Sequence, residues 1–200
     1  MSELYNREKH LQSRLNNFIK HGFDLPELDY YSKLELDGFL KLKSTLSDIN
    51  NIITLKVSLA FSHWISKKFE LSEKSDRELC SQILRTKPNA NGFDLELIEP
   101  IKVVAEVKCN VPINGGDVYG SAQRNGIAKD IDSLVNGKSK SPINSKDCFK
   151  FMVFLDRPEI RKATAHFIKN MKDHKELISV IDKTTGQMST DKIYVTFVSF

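Results

Sequence analysis

Apolar residues recur at helical spacing through much of the first 87 residues of the chain. The series cover residues 11–19, 34–42 and 52–69. Ser75, followed three residues later by Glu78, has the spacing of a helix N-cap with its capping box and predicts a helix that continues through Leu84. The region 1–87 is therefore predicted to be helical.

The pattern changes after Lys87, where the turn cluster Pro88–Gly92 precedes two extended runs on either side of Pro100. These runs, Phe93–Glu99 and Ile101–Asn110, predict a β-hairpin. The remaining predicted elements are a helix around 127–135 ended by Asn136 and Gly137, a buried strand Phe149–Leu155, a helix Pro158–Lys172 and a strand Ile193–Phe200.

This order of elements predicts an α/β fold with a mixed central sheet flanked by helices. We expect one domain over residues 1–200, with a helical N-terminal region 1–87 and a catalytic α/β core 88–200.

One face of the second hairpin strand carries charge where a core would be expected. In Val103–Cys109, side chains alternate, so Val103, Ala105 and Val107 point one way and Glu106 and Lys108 the other. Burying charge is costly unless the charge is paired or bound to a metal. The pattern therefore indicates a functional site.

The hairpin supplies a second carboxylate. If its turn centres on Pro100, residues whose numbers add up to about 200 lie opposite one another, which pairs Asp94 with Glu106. Two carboxylates that close would repel each other unless a cation lay between them, and oxygen ligands suit Mg²⁺, with Mn²⁺ as a substitute. Lys108 beside them would orient a water or neutralise charge on phosphorus. The alternative is an exposed Glu–Lys pair on an edge strand, with Asp94 in a turn.

Asp94, eleven intervening residues and then Glu106-Val107-Lys108 resemble the PD-(D/E)xK nuclease motif. The resemblance covers about Ser75 to Leu155 and is greatest to type II restriction endonucleases, although Phe93 stands where the motif has proline. It implies a restriction-endonuclease-like fold and a Mg²⁺-dependent enzyme that cuts double-stranded DNA.

The resemblance also implies roles for individual residues. Asp94, Glu106 and the backbone carbonyl of Val107 would bind the metal, and Lys108 would activate water. Glu78 matches an acidic residue that many members add from a preceding helix. Cutting both strands of a symmetric site calls for two active sites, so a homodimer is expected. Alternatives are a structure-selective repair or junction nuclease, and a DNA-binding module without catalysis.

Two basic segments are candidates for contact with DNA. The predicted helix after the Gly-rich loop 115–121 begins with four polar residues able to hold phosphates or read bases: Gln123, Arg124, Asn125 and Lys129. A solvated helix start explains them equally well. A loop with Lys138, Lys140 and Lys146 fits phosphate contact or a solubilising surface.

Composition adds little to this interpretation. The net charge of +4 permits a polyanionic partner without demanding one. The three cysteines form no CxxC pair, and the five histidines show no metal-ligand spacing, so a zinc site is not expected. The N-terminus lacks the apolar run of a signal peptide, and no stretch is long enough to span a membrane, so we expect a soluble cytoplasmic protein.

Overall fold

The computed structural model describes residues 5–87, 92–112, 116–139, 141, 143–181 and 186–200. The chain divides into two compact units, Met1–Ile49 and Asn50–Phe200. The boundary falls inside the region 1–87 that the sequence predicts to be helical. The predicted turn 88–91, together with Gly115 and Lys140, lies outside the described residues.

The first unit is helical. It contains α1 (Arg7–Phe23), α2 (Tyr30–Lys33) and the start of α3 (Leu36–Lys68). Asp29 joins α1 to α2, since its carboxylate accepts hydrogen bonds from Gln12, Asn16 and Ser32. These bonds, with that of Ser32 the largest contribution, lower the pKa of Asp29 to about 2.

The second unit is a five-stranded mixed sheet flanked by helices, which confirms the predicted α/β class. Its strands are β1 (Leu95–Leu97), β2 (Val103–Lys108), β3 (Phe149–Leu155), β4 (Ile178–Val180) and β5 (Ile193–Val198). The order across the sheet is β1-β2-β3-β5-β4, with β1 antiparallel to β2 and the other pairs parallel. Its helices are α4 (Glu73–Arg85), α5 (Ser121–Asn136) and α6 (Pro158–Asn170), besides the later part of α3.

Each face of the sheet has its own core. Val103, Ala105 and Val107 of β2 belong to the core that contains Phe61 of α3 and Leu79 of α4. Val104 belongs to the opposite core, with Ile131 of α5 and Ile160 of α6, among others. The alternation predicted for β2 is therefore confirmed, and Glu106 lies on the side covered by α5.

Several predicted boundaries were wrong. The helix α4 begins one turn earlier than predicted, because Ser72 rather than Ser75 is its N-cap and accepts a hydrogen bond from the Ser75 amide. The apolar series 34–42 and 52–69 belong largely to the single helix α3. The short strand β4 was missed, since three residues are too few for a periodic signal.

The end of α5 was predicted correctly. Gly137 follows the last helical residue with φ of 85°, a conformation that costs glycine little because it has no Cβ. In the described part of the chain, no helix combines the length and the apolar character needed to cross a bilayer.

The core around Phe151 gives a test of the packing. Phe151 is fully buried, and its ring lies 5.2 Å from that of Phe61 and 5.8 Å from that of Trp64. We expect Phe151→Ala to lower the free energy of unfolding by about 3–5 kcal/mol, because the cavity cannot close around a small side chain. Urea unfolding measures this loss. Phe200→Ala removes an exposed ring and should cost below about 1 kcal/mol; equal losses would contradict the packing.

Candidate active site

The hairpin has the register that the sequence predicts. Leu95 pairs with Ala105 and Leu97 with Val103, so the numbers of opposed residues add up to 200. The strands are shorter than predicted, and Asp94 is the residue immediately before β1. The register, extended by one residue, sets Asp94 opposite Glu106.

Asp94 is held against the backbone of β2. Its Oδ2 accepts a hydrogen bond of 2.8 Å from the amide N–H of Val107. The N–H and C=O of an extended residue point to the same edge of the strand, so the Val107 carbonyl faces the side on which Asp94 lies. The exposed carboxylate of Asp94 therefore lies beside the Val107 carbonyl, just before the first residue of β1. Glu106 belongs to the same segment of β2.

Glu106 is the most buried carboxylate of the site, with 3% of its surface exposed. Burial, and then the negative charge of Asp94, raise its pKa to about 8, although Lys138 acts in the opposite direction. Lys138 Nζ lies 2.5 Å from Glu106 Oε1. This close contact between an ammonium and a carboxyl oxygen becomes an ion pair when Glu106 is ionised. Oε1 therefore already has a cationic neighbour, and a metal ion at this oxygen would share it with Lys138 or displace the lysine.

Lys138 was predicted as part of a surface loop and instead contacts the site. Its ammonium also donates a 2.5 Å hydrogen bond to the carbonyl of Gly92 and lies 5.1 Å from the centre of the Phe93 ring. The interpretation as a solubilising residue is therefore wrong for Lys138.

Lys108 points to the same face as Glu106 and pairs with Asp130 of α5. Burial disfavours its charged form, but the hydrogen bond and charge of Asp130, with further attraction from Asp94 and Glu106, outweigh burial and raise its pKa. Lys108 is therefore a protonated hydrogen-bond donor rather than a base. The sequence gives no signal for Asp130, which lies 22 residues beyond Lys108.

The site opens onto a groove of about 540 Å³ that is bordered by Asp94, Val107 and Lys108 together with residues of α3 and α4. Glu78 does not border this groove. Its side chain is 68% exposed on α4 and lies 3.9 Å from Lys74, and it borders a separate pocket with Gln82 and Arg85. Asp94, Val107, Glu106 and Lys108 are thus together, and Glu78 has no contact with them among the described residues.

The four polar residues at the start of α5 divide into two pairs. Gln123 spans the helix start, because its amide donates to the carbonyl of Val111 and accepts from the N–H of Gly120. Arg124 donates to the carbonyl of Tyr119. Asn125 and Lys129 are exposed beside Arg124 in one open pocket. The first pair therefore has a structural role in the loop, whether or not it also contacts a ligand.

Glu106 links the site to stability. The pKa of Glu106 is about 8 in the folded chain, against an ordinary value of 4.5. Between these two pH values the folded chain keeps the Glu106 proton, whereas the unfolded chain has lost it. The free energy of unfolding should fall as pH rises through this window, by up to about 1.4 kcal/mol per pH unit. In metal-free buffer, Glu106→Gln should remove this contribution and be more stable than the wild type at about pH 8.

Urea unfolding of both proteins over the same pH range measures the difference. Glu99→Gln is the matched control, since Glu99 is an exposed residue of the same hairpin and should leave the pH dependence unchanged. Parallel pH profiles for wild type and Glu106→Gln would show that the carboxyl is not strained by burial.

Comparison of the chain with protein-family models, curated proteins and solved structures gives no match. The site itself brings a buried carboxyl group, an exposed carboxylate and a protonated lysine together at one end of a hairpin.

Proposed function

We propose that this protein is a Mg²⁺-dependent endonuclease that hydrolyses phosphodiester bonds of double-stranded DNA, with a restriction-endonuclease-like fold. The observation that carries the proposal is the hydrogen bond from the Val107 amide to Asp94, which holds this carboxylate at the segment that carries Glu106 and Lys108. An acid immediately before the first strand of a hairpin, a second acid on the second strand and a lysine two residues beyond it match the order of the PD-(D/E)xK motif.

The residues present fit a hard divalent cation. Glu106 brings a buried carboxyl oxygen beside which a cationic group, the Lys138 ammonium, already lies at 2.5 Å, and Asp94 accepts a hydrogen bond from Val107 through Oδ2. Asp94, Glu106 and the carbonyl of Val107 would hold Mg²⁺, or Mn²⁺ in its place, through oxygen atoms alone. When bound, such an ion lowers the pKa of a coordinated water and neutralises charge on the phosphoryl group.

Lys108 supplies the second requirement. Because its pKa is raised, its ammonium stays charged at neutral pH and donates hydrogen bonds to the attacking water or to a non-bridging phosphate oxygen. Asp130 holds the ammonium in place from α5. Lys108 is therefore proposed to orient the nucleophile and to stabilise the charge that develops on phosphorus.

We propose that Asn125 and Lys129 contact DNA, because both are exposed on the helix that also carries Asp130. Arg124 and Gln123 would take part if their loop contacts rearrange on binding. A homodimer would provide the two active sites needed to cut both strands, as expected for a type II restriction enzyme. The helices of residues 1–49 expose Phe18, Phe23, Leu36 and Leu40 among other apolar side chains, which suits them to that contact.

The decisive test is nicking of supercoiled plasmid by purified protein with Mg²⁺. We expect Lys108→Ala to lower the rate by about 10²–10³, because a charge-stabilising donor is lost, while DNA binding persists. Asp94→Ala should lose activity together with its response to Mg²⁺. Lys102→Ala is the matched control, since Lys102 is exposed just before the same strand and should retain full activity.

The outcomes separate the competing functions. Activity in EDTA, or full activity in Asp94→Ala, would contradict the site. Cleavage at fixed positions supports a restriction enzyme, and preference for branched DNA supports a repair or junction nuclease. Binding without cleavage, with wild type and Lys108→Ala alike, would indicate a non-catalytic DNA-binding module.

A further inference from the structure

A second group of metal-ligand side chains lies on the helices of the sheet unit. His63 of α3 and Asp76 and Cys80 of α4 each bring one ligand atom within 4.8 Å of the others. The spacing of the histidines along the sequence does not indicate this group, which only the fold brings together. His63 precedes Asp76 by 13 residues and meets Asp76 and Cys80 because α3 and α4 pack side by side.

Helix geometry explains the convergence. Asp76 and Cys80 are four residues apart and therefore lie on one face of α4. Leu79 and Ile83 of the same helix pack into the core with Phe61 and Ile65 of α3, among others. This packing sets the next face of α4 against the exposed edge of α3, where His63 projects.

Two serines of α3 contact two of the ligands. The Ser66 hydroxyl donates to Asp76 Oδ1 at 2.6 Å. Ser62 Oγ lies 3.5 Å from Cys80 Sγ and accepts from the thiol, because the Ser62 hydroxyl donates to the Leu59 carbonyl. Partners of this kind orient a ligand before the metal arrives and are typical of the outer shell of metal sites. The serines are buried, whereas His63 is exposed, so an ion can enter from solvent.

The distance between His63 and Asp76 suits a shared ion. Nδ1 of His63 lies 3.4 Å from Oδ1 of Asp76, which is longer than most N–H···O hydrogen bonds. Two ligands on a tetrahedral zinc ion, with bonds of about 2.0–2.3 Å, have their atoms about 3.3–3.6 Å apart. The pair has this separation, and the sulfur of Cys80 lies within 4.8 Å of a ligand atom of each.

We propose that His63, Asp76 and Cys80 form a zinc site that is separate from the Mg²⁺ site of the proposed nuclease. Nitrogen and thiolate ligands favour Zn²⁺, whereas Mg²⁺ prefers oxygen alone. The three residues leave the fourth tetrahedral position to water. Because the ligands come from two helices, the ion ties α3 to α4 and stabilises the folded chain by mass action.

Titration of the metal-free full-length protein with Co²⁺, and then competition with Zn²⁺, tests the site. Cobalt reports a thiolate ligand by a charge-transfer absorption in the near ultraviolet and a tetrahedral site by its visible bands. We expect a single equivalent of Co²⁺ with both features, displaced by Zn²⁺, and a rise of Tm with Zn²⁺. Affinity should strengthen with pH, because the thiol must lose its proton.

Cys80→Ser should abolish the charge-transfer band, and His63→Ala should weaken binding on the order of 100-fold or more. His63 is exposed, so its loss leaves the fold intact even if Cys80→Ser is unstable. His174→Ala is the matched control: His174 lies 3.4 Å from Asp132, the same separation, but that pair is not joined by a cysteine among the described residues. This variant should bind Co²⁺ like the wild type.

Absence of the charge-transfer band in the wild type, or its survival in Cys80→Ser, would overturn the proposal. So would equal binding by wild type and His63→Ala. The result is independent of DNA cleavage, because Co²⁺ absorption is measured without substrate. Loss of Mg²⁺-dependent nicking in Asp94→Ala would bear on the nuclease alone.

Discussion

The burial of one carboxyl group, that of Glu106, governs how the rest of the site is built. The residue lies within β2, between β1 and β3, and on the face covered by α5. A lone ionised carboxylate there would be destabilising, so the surrounding structure must compensate for it or keep it protonated. The fold provides both: the Lys138 ammonium lies against one oxygen of Glu106, and the raised pKa keeps the carboxyl group protonated near neutral pH.

Helix α5 positions both lysines of the site, Lys108 and Lys138. Asp130 lies on its inner face and holds Lys108, and the helix ends at Asn136, so that Gly137 turns the chain and Lys138 returns towards Glu106. The buried residues Ile127, Ile131 and Leu134 fix this helix on the sheet. Packing in that core therefore sets the positions of charges that take no part in the packing itself. A shift of α5 would separate both ion pairs together.

The sequence predicted those parts of the site that depend on local geometry. Alternation in β2 separated Glu106 and Lys108 from the core, and the turn at Pro100 gave the register that sets Asp94 opposite Glu106. The sequence did not indicate Asp130, the contact of Lys138 with Glu106, or the cluster of His63 with Cys80, because these contacts depend on how helices and loops pack over long separations. The start of α4 was predicted one turn too late for a different reason: Ser72 and Ser75 are both competent caps, and the helix uses Ser72.

The charges of the site link three events: loss of the Glu106 proton, binding of a cation and binding of the substrate. Asp94, Glu106 and Asp130 face Lys108 and Lys138, so the group is neutral while Glu106 holds its proton and carries one negative charge when the proton leaves. A negative site repels a phosphate, whereas the same site with a divalent ion attracts one. In the proposed nuclease, ionisation of Glu106 and cation binding would therefore favour each other and precede productive contact with DNA.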